Sequence, residues 1–326
     1  MTNLSSDLSR NWFGRFAWFV LAYNIPVILW GAYVRVSFSG DGCGANWPSC
    51  KGEFIPHHMA APMAIEFTHR FMTSLDTIAV LAMVVWGFLA YPKRHAVRRY
   101  AVLSLIFLLI EALLGAGLVL FRLVSRDQSA GRIWYLSAHL TNTMLLLGAL
   151  AATAWLGRQG IERLRILQTP RALLVALLVT VIVSVTGTIT ALGDTLFPAS
   201  SLSAGIQQDF SHASSLLLRL RVIHPAIAVA GAIYLLWLAS SILRKSGSKA
   251  AMFVIFITIV QVAAGMLNLA LLAPLGMQLT HLLIADLLWI AVVLLTLEST
   301  RNSAMPSQIG MKTTSLRSAT LESSPR

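Results

Sequence analysis

Long apolar runs alternate along this chain with short connections marked by proline, glycine and charge. A helix needs about 20 apolar residues to cross a bilayer. Eight runs reach that length, at 16–34, 64–91, 100–121, 134–156, 172–192, 220–243, 251–272 and 278–298. The pattern predicts an all-α polytopic membrane protein with eight transmembrane helices. The last stretch, 299–326, is rich in Ser and Thr and poor in large apolar side chains, so it predicts a disordered tail.

Polar residues inside the apolar runs narrow the picture. His69, His139, His224 and His281 fall one each on the second, fourth, sixth and eighth spans. Those spans all run in one direction, and each ring lies a few residues from its start, roughly 5–8 Å below the same membrane face. A polar ring in hydrocarbon is costly and marks function. Four rings at one depth, in two pairs, match the needs of two iron porphyrins, each of which takes two axial nitrogens from facing helices of a four-helix bundle. A buried histidine can equally hydrogen-bond a neighbouring helix, but four at a shared depth point away from that.

The halves also repeat weakly, four spans and four. Leu114-Gly115-Ala116-Gly117-Leu118 resembles Ala264-Gly265-Met266-Leu267-Asn268, and the histidines keep step with it. The predicted organisation is two pseudo-repeated four-helix bundles, 16–156 and 172–298, followed by the tail at 299–326.

Composition agrees. The chain is 56% hydrophobic and 12% charged, with mean hydropathy +0.72, which excludes an ordinary soluble domain. A net charge of +12 would suit nucleic acid, but the basic residues lie in short connections, so nucleic acid is not an expected partner. They set orientation instead. Lys93, Arg94, Arg98, Arg99, Arg158, Arg163, Arg165, Arg171, Arg244, Lys245 and Lys249 flank one face together with both termini, and outnumber those flanking the other. Both termini are therefore expected in the cytoplasm, and the loops 35–63 and 193–219 outside. Residues Met1 to Arg15 are polar and precede a run long enough to span, so the first helix is expected to be an anchor in a bacterial-type inner membrane.

Glu66 precedes His69 by one helical turn and shares its face, where it could orient the ring, relay protons or simply complement the helix start. Arg221 holds that place before His224, which makes the halves chemically unequal. Arg70, Arg132, Arg219 and Arg221 lie near the outer ends of the histidine helices and are candidates for porphyrin propionates. Asp76, Glu111 and Asp286 are further intramembrane acids. His57, His58, His95 and His212 lie in connections and are expected to be solvated. Cys43 and Cys50, in the first outer loop, face an oxidising compartment where a disulfide can persist, as a staple or as a redox-active pair. No CxxCH is present, which argues against covalent haem.

Several of these segments match a known family. The run from Gly40 to Cys50, the segment Ile65-Glu-Phe-Thr-His-Arg70, Ala138-His-Leu-Thr-Asn142, His224-Pro225, Gln261 with Gly265 and Asn268, and Gln278 with His281-Leu282 resemble the haem A synthase family over about residues 16–298. The resemblance implies eight helices in two bundles and an oxidoreductase that converts one methyl of haem O to a formyl. It does so through two hydroxylations with loss of water. It implies that His69 and His139 attend the substrate haem, that His224 and His281 hold a haem b, and that Glu66 takes part in the chemistry. The cysteine pair occurs in some members. Haem O synthase and cytochrome oxidase assembly factors are the implied partners, with room for a homo-oligomer. Two features depart from the pattern. The second large outer loop has no cysteines, and Glu111 stands where the repeat places Gln261. A di-haem cytochrome b acting only as an electron carrier, and a transporter with histidine proton relays, remain as alternatives.

Overall fold

A computed structural model describes residues 2–162, 164, 166–211 and 216–304. Among them the chain forms ten α-helices: α1 (Thr2–Val36), α2 (Ala61–Ala90), α3 (Ala96–Leu120), α4 (Ala130–Gln159), α5 (Arg171–Leu196), α6 (Leu202–Phe210), α7 (Leu216–Arg221), α8 (Ile223–Ser246), α9 (Lys249–Ala270) and α10 (Leu275–Ala304). No strand occurs among the described residues, only an isolated bridge between Cys50 and Glu53. Eight helical stretches are long and apolar enough to cross a membrane, the sixth being Leu217–Ser246, which spans α7 and α8.

The helices overrun the apolar runs at most ends, because polar first and last turns are tolerated where they are capped or packed. Ser129 and Ser248 cap α4 and α9 through their hydroxyls. At the start of the chain, Phe13, Ala17, Val20 and Leu21 recur at helical spacing and are buried, so α1 is held well before the expected start of its span. Gly157 leaves room for the Phe13 ring, whose Cε1 would lie 3.1 Å from a Cβ there. At the other end, α10 continues to Ala304, six residues into the stretch expected to be disordered. Thr300 is buried there against Thr169, with 3.0 Å between hydroxyls. Residues 305–326 lie outside the described residues. The connection 193–219 also holds α6, capped by the Ser201 hydroxyl on Ala204 N–H at 3.1 Å, an element the hydropathy pattern did not predict.

α1 packs on α2, α2 on α3, α3 on α4 and α4 back on α1; likewise α5 packs on α8, α8 on α9, α9 on α10 and α10 back on α5. The two rings meet where α4 touches α5 and α10, and where α1 touches α10. α4 is the most enclosed span, which its small residues Gly148, Ala149, Ala151, Ala152 and Ala154 permit by letting neighbours approach closely. Trp289 of α10 lies over Gly148 and donates its indole N–H to the Met144 carbonyl at 2.7 Å, tying the rings together through a buried bond.

The turns leaving α3 and α9 share one hydrogen-bond pattern. Phe121, Arg122 and Leu123 donate to Gly117, Val119 and Leu118, as Leu271, Leu272 and Ala273 donate to Leu267, Leu269 and Asn268. Arg122 and Leu272 both take positive φ, 57° and 63°. These two turns set the register of α4 on α3 and of α10 on α9.

Candidate functional site

All four predicted histidines are half-buried, and each lies within the first three turns of its span, about 9–13 Å along it. They lie further from their helix starts than the apolar runs suggested, because the helices start earlier. Three of the rings are seated on glycine. A Cβ at Gly31 of α1 would lie 2.9 Å from Cε1 of His69, one at Gly187 of α5 2.9 Å from Cε1 of His224, and one at Gly265 of α9 3.0 Å from Cε1 of His281. Each imidazole therefore occupies a notch in the neighbouring helix that a larger residue would close. Gly115, the repeat counterpart of Gly265, meets no atom within 4 Å. His139 instead brings its Nδ1 to 3.0 Å from Oε1 of Glu111 on α3, off the line of a ring N–H.

Local chemistry holds the rings. Pro225 has no N–H to give the Arg221 carbonyl, and the helix breaks at Val222 between α7 and α8. Thr190 of α5 supplies the missing donor to that carbonyl at 3.3 Å. His224 sits on this break, its Nδ1 3.1 Å from the Thr186 hydroxyl, which itself donates to Val183 O. Gln261 of α9 reaches Nε2 of His281 at 3.3 Å. Nδ1 of His69 and of His281 are buried without a hydrogen-bond partner. Imidazoles seated on glycines, two of them with an orphaned ring nitrogen, have the donor atoms that would hold a porphyrin iron. The residues present suit that group.

Beside His69 the structure builds a second layer. Glu66 is buried and takes the Cys43 backbone N–H on Oε2 at 2.8 Å; its Oε1 meets Arg70 Nη2 at 2.5 Å. Arg70 Nη1 donates to the carbonyls of Asn46 and Ser49, each at 2.8 Å. Cys43 and Cys50 form a disulfide with Cα atoms 4.4 Å apart, packed on Met63 and Phe67 of α2. The disulfide loop is thus tied to the histidine helix one turn before His69.

The other basic candidates are engaged by the protein itself. Arg132 donates to the Ser125 and Asp127 carbonyls at 2.8 Å, and Arg221 is clamped by Asp209 at 2.6 Å and Asp194 at 3.1 Å. Arg219 is exposed at the end of α7. Arg35, not among the candidates expected from sequence, has Nη1 buried and without a hydrogen-bond partner, within electrostatic range of Arg132 and Asp194. Arg98, Arg132 and Arg301 likewise bury an unpartnered Nε, and the sequence position of Arg35 is that of an ordinary flanking cation. Among the intramembrane acids, Asp76 accepts from Asn24 at 2.9 Å, whereas Asp286 is buried with Oδ2 unbonded.

His57 and His58 are exposed, as expected. His95 is not solvated. It is buried against Tyr91, ring centroids 4.5 Å apart, and its Nδ1 accepts Val97 N–H at 3.2 Å as the N-cap of α3. Burial holds its proton affinity below the ordinary imidazole value. His212 lies outside the described residues.

A protoheme IX farnesyltransferase of Thermus thermophilus is 39% identical over 302 residues, covering 90% of this chain and 50% of that protein. This chain thus spans about half the length of the curated relatives it matches most fully. A heme A synthase of Exiguobacterium sp. is 36% identical over 107 residues, 33% of this chain and 36% of that protein. A heme A synthase of Symbiobacterium thermophilum is 41% identical over 99 residues, 30% of this chain and 32% of its own length. The profile of a family described as cytochrome oxidase assembly protein matches residues 14–293. With that match over most of its length, the chain belongs to the cytochrome oxidase assembly protein family.

Proposed function

We propose that this protein is a haem A synthase of the cell membrane, an oxidoreductase that converts one methyl group of haem O to a formyl. Each of two hydroxylations takes two electrons from the methyl carbon, which pass to an external oxidant, and the resulting gem-diol loses water to give the formyl. The observation that carries this reading is the asymmetric pair of histidine sites: alike in place along their helices, unequal in the groups beside them, with Glu66 and Glu111 next to His69 and His139 and glycine notches under both His224 and His281.

In this reading the ring of α1 to α4 is the substrate bundle, in which His69 and His139 hold haem O. The ring of α5 and α8 to α10 is the cofactor bundle, in which His224 and His281 hold haem b. The matching contact cycles and the paired turns after α3 and α9 support an internal repeat. Haem b supplies one-electron transfer when bound. Thr186 and Gln261 orient its two ligands. Glu66 is the carboxyl nearest His69 in sequence, and its link to the Cys43 amide holds it at the mouth of the substrate bundle. Arg70 positions Glu66 and closes the disulfide loop over it. Orientation with both termini in the cytoplasm follows from the basic flanks and puts this loop outside.

The double-length Thermus relative carries a farnesyltransferase name, and half of it lies outside the match. Its transferase activity is therefore not carried over. A likeness between this chain and half of such a protein does support direct hand-over of haem O from a haem O synthase partner.

The test is co-expression with a haem O supply, followed by extraction and mass analysis of the porphyrins. Haem A alongside haem B is expected. Haem B alone, with no haem O or A, would identify an electron carrier. A normal haem b content in His224→Ala would overturn the assignment of the second site.

A further inference from the structure

The two halves differ beside their histidines as a set, not at one position. In the first half Glu111 of α3 faces His139 of α4. Its Oε2 accepts from Asn142 Nδ2 at 2.6 Å, and its Oε1 meets the Thr143 hydroxyl. In the second half the same helix pair carries Gln261 beside His281, and Ile284 and Ala285 stand where the repeat would put Asn142 and Thr143. A carboxyl with two polar partners is thus exchanged for a carboxamide whose nitrogen reaches Nε2 of His281 and whose oxygen is buried without a hydrogen-bond partner. Asn142 also donates to the Phe107 carbonyl at 2.8 Å, so the trio is anchored to both helices.

We propose that Glu111, held by Asn142 and Thr143, is a positioning residue for His139 that makes this imidazole a stronger electron donor to iron than His281. A charged acceptor strengthens a hydrogen bond to the ring about twofold over a neutral one, and raises the basicity of the ligating nitrogen. A more basic ligand favours ferric over ferrous iron. The carboxyl oxygen is 3.0 Å from Nδ1, and a small turn of the ring converts that approach into a full hydrogen bond. The consequence fits the division of labour proposed above, on which this inference rests. The bundle that oxidises its substrate carries the electron-rich ligand, and the bundle that relays electrons carries the neutral one.

The test is an optical redox titration of the full-length protein purified with haem b and haem O supplied. Glu111→Gln should move one of the two midpoints upward, by about tenfold in the ferrous-to-ferric ratio, about 59 mV, and leave the other in place. Gln261→Glu should move the other midpoint downward by a similar amount. A Glu111→Gln protein that keeps its porphyrins with both midpoints unmoved, or with both shifted alike, overturns the proposal. Should that variant lose porphyrin, Gln261→Glu decides. With full pigment and an unmoved midpoint it overturns the proposal, and with a lowered midpoint it supports it. Failure of the functional reading is recognised separately, by wild-type protein that binds two porphyrins but never yields haem A.

Discussion

Glu66 of α2 accepts the backbone N–H of Cys43 at 2.8 Å, so the disulfide loop and the first histidine helix are joined at a buried carboxyl. The bond lies one helical turn from His69 and is reinforced by Arg70, which bridges Glu66 to the carbonyls of the same loop. Opening the disulfide therefore loosens the partner of Glu66 as well as the loop.

Replacing Cys43 and Cys50 together by serine should cost about 2–3 kcal/mol from the freed loop entropy. The loss should read as a lower thermal midpoint in detergent. The same variant should show faster amide exchange at Cys43 and at the start of α2, while α8 to α10 stay protected. Equal loss of protection in both halves would mean that the loop does not act locally on Glu66.

Gly31→Ala places a methyl group where Cε1 of His69 lies, 2.9 Å away, and Gly265→Ala does the same to His281 at 3.0 Å. A ring seated against helix backbone has nowhere to retreat except out of its notch. Overpacking of this kind costs about 1–3 kcal/mol, so each variant should lose its own porphyrin, by roughly tenfold or more in occupancy, and keep that of the other half. Gly115→Ala, which meets open space, serves as the silent control. Pigment content per chain measures all three.

Trp289→Phe keeps an aromatic ring but removes the indole donor to the Met144 carbonyl together with the Cζ2 and Nε1 atoms nearest Gly148. The loss of that buried bond should destabilise the chain by about 1 kcal/mol, and it should appear at the contact between the two helix rings. Limited proteolysis in the connection between α4 and α5 is expected to speed up. An unchanged cleavage rate would show that packing alone holds the rings together.

His95 is buried in the neutral form as the N-cap of α3, with its proton affinity below the ordinary value. A group depressed in this way contributes stability that is fully present above the ordinary imidazole pKa and is lost as pH falls through the lowered one, because the unfolded chain takes up the proton first. The first turn of α3 should therefore exchange its amides faster as pH is lowered from about 7 to about 5, the range that spans the ordinary imidazole value, after correction for intrinsic rates. His95→Asn keeps a capping side chain that does not titrate, and should abolish the pH dependence while retaining protection.

Much of this molecule was legible before folding. The eight spans, their alternation and the shared depth of His69, His139, His224 and His281 follow from hydropathy and helical rise, which are properties of each run on its own. Glu66 could be singled out because one turn of helix separates it from His69. The helix ends were misjudged wherever a cap or a packed side chain extends a helix past its apolar run, as Phe13 does for α1 and Thr300 for α10. His95 was misread for a related reason: a ring in a short connection looks exposed until Tyr91 covers it.

The sequence by itself determined which helices carry the four histidines and that each lies near the start of its span, because that depends only on position along one helix. Tertiary structure alone decided what each of them meets. That Gly31, Gly187 and Gly265 receive imidazoles, that Glu111 approaches His139, and that Arg221 is held by Asp194 and Asp209 are contacts between neighbouring helices and loops. Such contacts depend on how the helices rotate and cross, and that is settled by the small residues and buried bonds between them, not by any run read alone.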